Sequence, residues 1–85
     1  MEIAEITEKL RSIVRPYVDD KSLLENINGD TDLLKDLKIN SAHLVDIILD
    51  AEEVFNIEID DEAAEKMLTV KEAVRIIAER VNAKT

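Results

Sequence analysis

Between Asn40 and Glu53 the chain gathers a serine, its only histidine and four carboxylates: Ser41, His43, Asp46, Asp50, Glu52 and Glu53. Ser41, His43 and Asp46 are the residue types of a hydrolase triad, in which one base must bond both partners. On a helix at ~100° per residue, Ser41 and Asp46 point about 140° apart, so one helix does not assemble that triad. His43, Asp46 and Asp50 could graze a divalent cation, but three exposed ligands without closure make a weak site. Asp60, Asp61 and Glu62 lack the glycine and the spacing of a calcium loop. His43 then reads as a surface residue whose charge varies near neutral pH. The chain has no cysteine, so it offers no thiolate, no disulfide and no thiol nucleophile of its own. Taken alone, Ser41 is a plain capping serine.

Three main helices must position these residues. Ile3, Ile6, Leu10, Ile13 and Val14 recur at three- and four-residue spacing and predict an amphipathic first helix. Pro16 should end or kink it near Val14–Arg15. Residues 19–40 form a long connection, pinned by apolar Leu33, Leu34, Leu37 and Ile39, with a short helical turn starting at Thr31-Asp32. The second helix is expected from about Ser41 to Asn56, capped by Asn40 or Ser41. Leu44, Ile48, Ala51 and Phe55 fall on its inner face; Asp46, Asp50 and Glu53 fall opposite, with Ala42 and Leu49 beside them. Phe55 to Ile59 alternates as an extended turn. Asp60 or Asp61 caps a short third helix through about Met67. Thr69 and Glu72 fit a capping box, and the last helix buries Val70, Ala73, Val74, Ile77 and Val81.

Composition narrows the function. Of 85 residues, 20 are acidic and 11 basic, for a formal net charge of −9. Residues 30–65 hold 12 acids and two bases, or −10, which leaves +1 for the remainder. Such a chain is a poor match for nucleic acid or anionic membrane surfaces. No apolar run approaches a membrane span, so no membrane insertion is expected. The first residues lack a signal-peptide pattern, and with no cysteine the expected location is cytoplasmic. Residues 1–85 are read as a single domain and a monomer.

Residues 31–77 resemble acyl carrier proteins without a gap. Asp36-Leu37-Lys38-Ile39-Asn40-Ser41 is similar to the family's Asp-Leu-Gly-x-Asp-Ser-Leu motif. Glu52-Glu53-Val54-Phe55-Asn56-Ile57-Glu58-Ile59 is similar to its Glu-Glu-x-Phe-x-x-x-Ile, and Ala64-Glu65-Lys66 and Thr69-Val70 follow in register. The resemblance implies an all-α four-helix bundle with three main helices, a short third helix and a long loop after the first. It implies a 4′-phosphopantetheine arm on Ser41, whose terminal thiol holds an acyl group as a thioester. The reactive sulfur missing from the chain would come with that prosthetic group. The positive end of the second helix would lie beside the arm's phosphate. The protein would not itself be an enzyme.

The implied partners are a phosphopantetheinyl transferase and synthases, acyltransferases or ligases with basic docking patches. They would serve fatty-acid, polyketide or related biosynthesis. Asn40, Ala42, Asp46, Leu49, Asp50 and Glu53 are the candidate partner face. Leu34, Ala51, Phe55, Ile59, Ala64 and Met67 are candidates for an acyl-sheltering cleft.

Six positions depart from the pattern, one of them His43, where the family is commonly acidic. Asn40 replaces the Asp before the serine, and Ala42 the Leu after it. Lys38 replaces the motif's Gly, so the loop is expected to need no glycine-only conformation there. Asp60 replaces a Pro, and Ala51 stands where a cargo-facing Leu is usual. Together they suggest a specialised carrier. Two other readings stay open: an unmodified, carrier-like acidic docking subunit, and a peptidyl or aminoacyl carrier.

Overall fold

Aliphatic periodicity builds most of the architecture. A computed structural model describes residues 2–83. Helix α1 spans Ile3–Val14 and buries Ile6, Leu10, Ile13 and Val14. Ile3, in phase with that stripe, is 56% exposed in the first turn. At Pro16 the helix tightens into a 3-10 turn, Arg15–Tyr17, as a residue with no N–H to donate requires. The Lys21 ammonium then donates to the carbonyls of Arg15 and Val18 and satisfies acceptors left over at that end.

The long connection is more ordered than its sequence suggests. Lys21–Asn26 forms a second 3-10 segment that buries Leu24 and is capped by Asp20, which accepts from the Ser22 N–H. Thr31 is buried, and its hydroxyl accepts from the Asn28 N–H at 2.9 Å. Asp32 caps the following turn, accepting from the N–H groups of Leu34 and Lys35 at 2.8 Å each. Asp36 answers by accepting from the Asp32 N–H, also at 2.8 Å. These bonds lower the Asp32 pKa below the ordinary carboxylate range, the Lys35 N–H first. Helix α4 is stapled to this loop. The N–H groups of Val70 and Lys71, orphans at a helix start, donate to the carbonyls of Thr31 and Gly29 at 2.9 Å each.

Lys38 overturns one expectation. Its φ of +56° is left-handed, the conformation for which the family motif keeps glycine. The physical reason lies on either side: Leu37 and Ile39 are both buried, and the chain must turn sharply to bury both.

Helix α2 is Ser41–Phe55, α3 is Asp61–Glu65 and α4 is Val70–Ala83. The architecture is all-α, with four helices of which the third is short. Helix α1 packs against both α4 and α2. Asn56 ends α2 in a left-handed conformation that suits Asn. Ile57 and Ile59 are buried while Asn56 and Glu58 are exposed, as the alternation requires. Asp60 caps α3 by accepting from the Ala63 N–H at 2.7 Å. The helix stops at Glu65, two residues short of the expected Met67, and continues as turn. Only half of the expected capping box forms at α4. Thr69 accepts from the Glu72 N–H at 3.2 Å, but the Glu72 carboxylate pairs with Arg75. Helix α4 buries Ile76 and Ala78 besides Val70, Ala73, Val74 and Ile77; Val81 is half-buried.

The inner face of α2 is rotated from the expected one. Ile47, Ala51 and Phe55 are buried, whereas Leu44 and Ile48 are half-buried.

Candidate functional site

Ser41 is the first residue of α2, and it is exposed. Asn40 does the capping: its side-chain oxygen accepts from the Ala42 N–H at 2.8 Å, and its carbonyl accepts from the His43 N–H at 2.8 Å. Among the described residues the Ser41 hydroxyl makes no hydrogen bond. A free hydroxyl at the positive end of a 15-residue helix suits an acceptor for a phosphate-linked group. These features meet the needs of the arm implied by the motif.

Around the axis of α2 the remaining candidates sort into three strips. Ala42, Asp46, Leu49 and Glu53 centre on solvent, and Leu49 is 56% exposed. Val45, 61% exposed, lies between that ridge and Ser41. Asp50 does not join the ridge: it is half-buried, and its Oδ2 accepts from the Tyr17 hydroxyl at 2.9 Å. This corrects the expectation that Asp50 sits on the solvent face. Tyr17, 33 residues away, turns that flank toward α1.

The same tyrosine reaches His43, with ring centroids 5.4 Å apart and planes tilted by 42°. His43 Nδ1 is 3.7 Å from Asp46 Oδ2, too long for a hydrogen bond, and both side chains are at least half exposed. The Asp50 hydrogen bond holds the Tyr17 pKa above the usual phenol range, helped by partial burial and by the charges of Asp50 and Asp46. Sequence reading missed Tyr17. The only hint was its place just after Pro16, in the one aromatic residue besides Phe55.

Of the six residues expected at a cleft, Ala51, Phe55, Ile59 and Met67 are buried in the core cluster, and Ala64 packs against it. Leu34 is half-buried. A groove of about 800 Å³ opens nearby between the end of α2 and the end of α4. Glu52, Asn56, Ile57, Glu58, Ile59 and Arg80 are among its walls, and it touches only Ile59 of those six. Glu52 braces this edge by accepting from the Ile59 N–H at 2.9 Å.

No family model matches the chain. Whole-length relatives do. An acyl carrier protein of Picosynechococcus sp. is 35% identical over 79 residues, 93% of this chain and 95% of its own. Another, from Rubrobacter xylanophilus, is 36% identical over 85 residues, covering 98% of this chain and all of the relative. The chain belongs to the acyl carrier protein family. A third relative of that name, from Coprothermobacter proteolyticus, is 38% identical over 77 residues. Its general role is therefore that of an acyl carrier. Among the described residues of this carrier no helix is long and apolar enough to cross a membrane.

Proposed function

We propose that this carrier holds acyl intermediates as thioesters on a 4′-phosphopantetheine arm attached to Ser41. The observation that supports the reading is the exposed, unbonded Ser41 hydroxyl on the first residue of α2, in the register of the family motif. When bound, the arm would supply the thiol chemistry. The chain's own part is to present Ser41 at a helix N-terminus and to hold that turn with Asn40. Asn40 keeps the cap that an Asp would make but carries no charge.

In this reading Ala42, Asp46, Leu49 and Glu53 form the face met by a phosphopantetheinyl transferase and by acyl-processing enzymes with basic patches, and Asp50 contributes from its flank. Opposite charge would act mainly on the rate of encounter. The buried Ala51, Phe55, Ile59 and Met67, with Ala64 and Leu34, would line an acyl shelter only if the core parts to admit a chain. The carrier would work as a cytoplasmic monomer, as one domain over residues 1–85, in fatty-acid, polyketide or related biosynthesis.

The test is intact-mass analysis after incubation with coenzyme A and a phosphopantetheinyl transferase. One added phosphopantetheine is expected, and none with Ser41→Ala. Labelling that survives Ser41→Ala would sink the assignment. The neutral Asn40 and the short Ala42 favour one second reading, an unmodified docking subunit. Protein from its native cells showing only the unmodified mass would support it.

A further inference from the structure

The loop that clasps α4 carries a reactive pair. Asn28 precedes Gly29, the chain's only glycine, and both are exposed. The Asn28 carbonyl accepts from the Thr31 N–H at 3.1 Å and closes a tight turn. The Asn28 side-chain oxygen accepts from the Asp30 N–H at 2.8 Å. Among the described residues the Gly29 N–H donates to nothing, while the Gly29 carbonyl accepts from the Lys71 N–H at the start of α4. We propose that Asn28 is a site of spontaneous modification, at which the side-chain amide is lost and an isoaspartyl main-chain link forms.

The step balances with water alone. The Gly29 nitrogen attacks Asn28 Cγ and forms a C–N bond, and its proton passes to solvent. The Cγ–Nδ2 bond breaks, and Nδ2 leaves as ammonia. Water then opens the cyclic imide at one of its two carbonyls. One opening gives aspartate at position 28; the other gives isoaspartate.

The geometry favours this pair over the others. The Asp30 N–H already donates to the oxygen on which negative charge grows during attack. Gly29 has no Cβ to hinder its nitrogen, and no hydrogen bond of that N–H must break first. Asn26, Asn40, Asn56 and Asn82 each precede a residue that carries a Cβ. The turn itself does not need the glycine. Its φ is not left-handed, and an added Cβ would lie 3.5 Å from the Lys71 Cβ, an ordinary contact.

The product would act on the clasp. An isoaspartyl link routes the main chain through the former side chain and lengthens it by one carbon. That shift pulls the Gly29 carbonyl away from the Lys71 N–H, so modified molecules accumulate with a loosened start of α4.

The experiment holds full-length protein at physiological temperature and mildly alkaline pH, in buffer and in urea. Digests are read by mass spectrometry after labelling with an isoaspartyl methyltransferase. In buffer the peptide containing Asn28 should convert and take the label before any other asparagine. Gly29→Ala, checked for its fold by circular dichroism, should slow conversion by about tenfold. In the isoaspartyl fraction, hydrogen exchange at the Lys71 amide should quicken by about twofold to tenfold, the worth of one hydrogen bond. Asn28→Asp adds the charge without the extra carbon and should leave Lys71 protected. Conversion in urea only, an earlier site elsewhere, an unchanged rate in folded Gly29→Ala, or unaltered exchange at Lys71 in the isoaspartyl fraction would overturn the proposal.

Discussion

Two halves of the molecule divide its labour. Helices α1 and α4 are nearly neutral over their length and bury Ile6, Leu10, Val14, Ala73 and Ile77 at 2% exposure or less. Helices α2 and α3 hold most of the −10 found in residues 30–65. Among the described residues α2 is the longest helix, yet it fully buries only Ile47, Ala51 and Phe55, and it leaves Val45, Leu49 and Val54 in solvent. Helix α3 buries a single alanine, Ala63. Burial is thus concentrated in α1 and α4, and negative charge in α2 and α3. A small domain has few apolar residues to spare; of the three left outside on α2, Val45 and Leu49 lie about 40° apart, while Val54 points about 180° from Val45.

The sharpest way to break this comparison is to truncate one apolar side chain from each half. Ile77→Ala, at a fully buried position of α4, should cost about 2–5 kcal/mol of unfolding free energy. Leu49→Ala, on the exposed ridge, should cost no more than about 0.5 kcal/mol. Urea unfolding followed by circular dichroism measures both. Equal losses would mean that Leu49 is structural and that the ridge is not a free surface.

A smaller effect is expected at the joint between the halves. Lys38 holds a left-handed backbone at a cost of about 1–2 kcal/mol for a residue with a Cβ. Glycine relieves that strain but loosens the unfolded chain by about 0.4–1 kcal/mol. Lys38→Gly should therefore stabilise the fold by about 0.5 kcal/mol. A destabilised variant in the same urea experiment would show that lysine's own contacts outweigh the backbone.

These two halves were not equally legible in the sequence. Helices α1 and α4 follow from aliphatic periodicity, because a helix packed along one whole face repeats that face in its residue types. The break at Pro16 and the two caps were readable from local residue types, though each cap was left between two neighbours, Asn40 or Ser41 and Asp60 or Asp61, of which the structure uses Asn40 and Asp60. The proposed attachment at Ser41 rests on its motif and not on its chemistry. What stayed hidden depended on distant partners. The 3-10 segment Lys21–Asn26 has no apolar period to announce it. The Ile47 face of α2 is as apolar in sequence as the Leu44 face, so spacing alone did not choose between them. The Tyr17–Asp50 bond joins residues 33 apart, and a lone phenol gives no pattern. Lys38 misled because the residue type at a position does not report the φ that its buried neighbours impose.

The carboxylates too fall into two kinds, and pH should separate them. Those on the ridge of α2 accept no backbone hydrogen bond among the described residues, and their charge mainly repels. At neutral pH screening should therefore raise the melting temperature as salt increases. Asp20 and Asp32 instead hold the chain in turns. Asp20 is lowered first by the Ser22 hydroxyl and then by the Ser22 N–H, and Asp32 first by the Lys35 N–H. A folded pKa below the unfolded value of about 3.9 contributes stability that is complete above that value. It is lost as pH falls through the folded one. Near the sequence pI of about 4.5 net repulsion vanishes, so the benefit of salt should vanish with it. Below about pH 4 the melting temperature should drop at any salt concentration, as Asp20 and Asp32 take up protons. Asp20→Asn and Asp32→Asn should each flatten that acid limb while leaving the salt response at pH 7 in place. If both variants kept the full acid limb, turn carboxylates would not be what acid removes, and the division between the two kinds would fail.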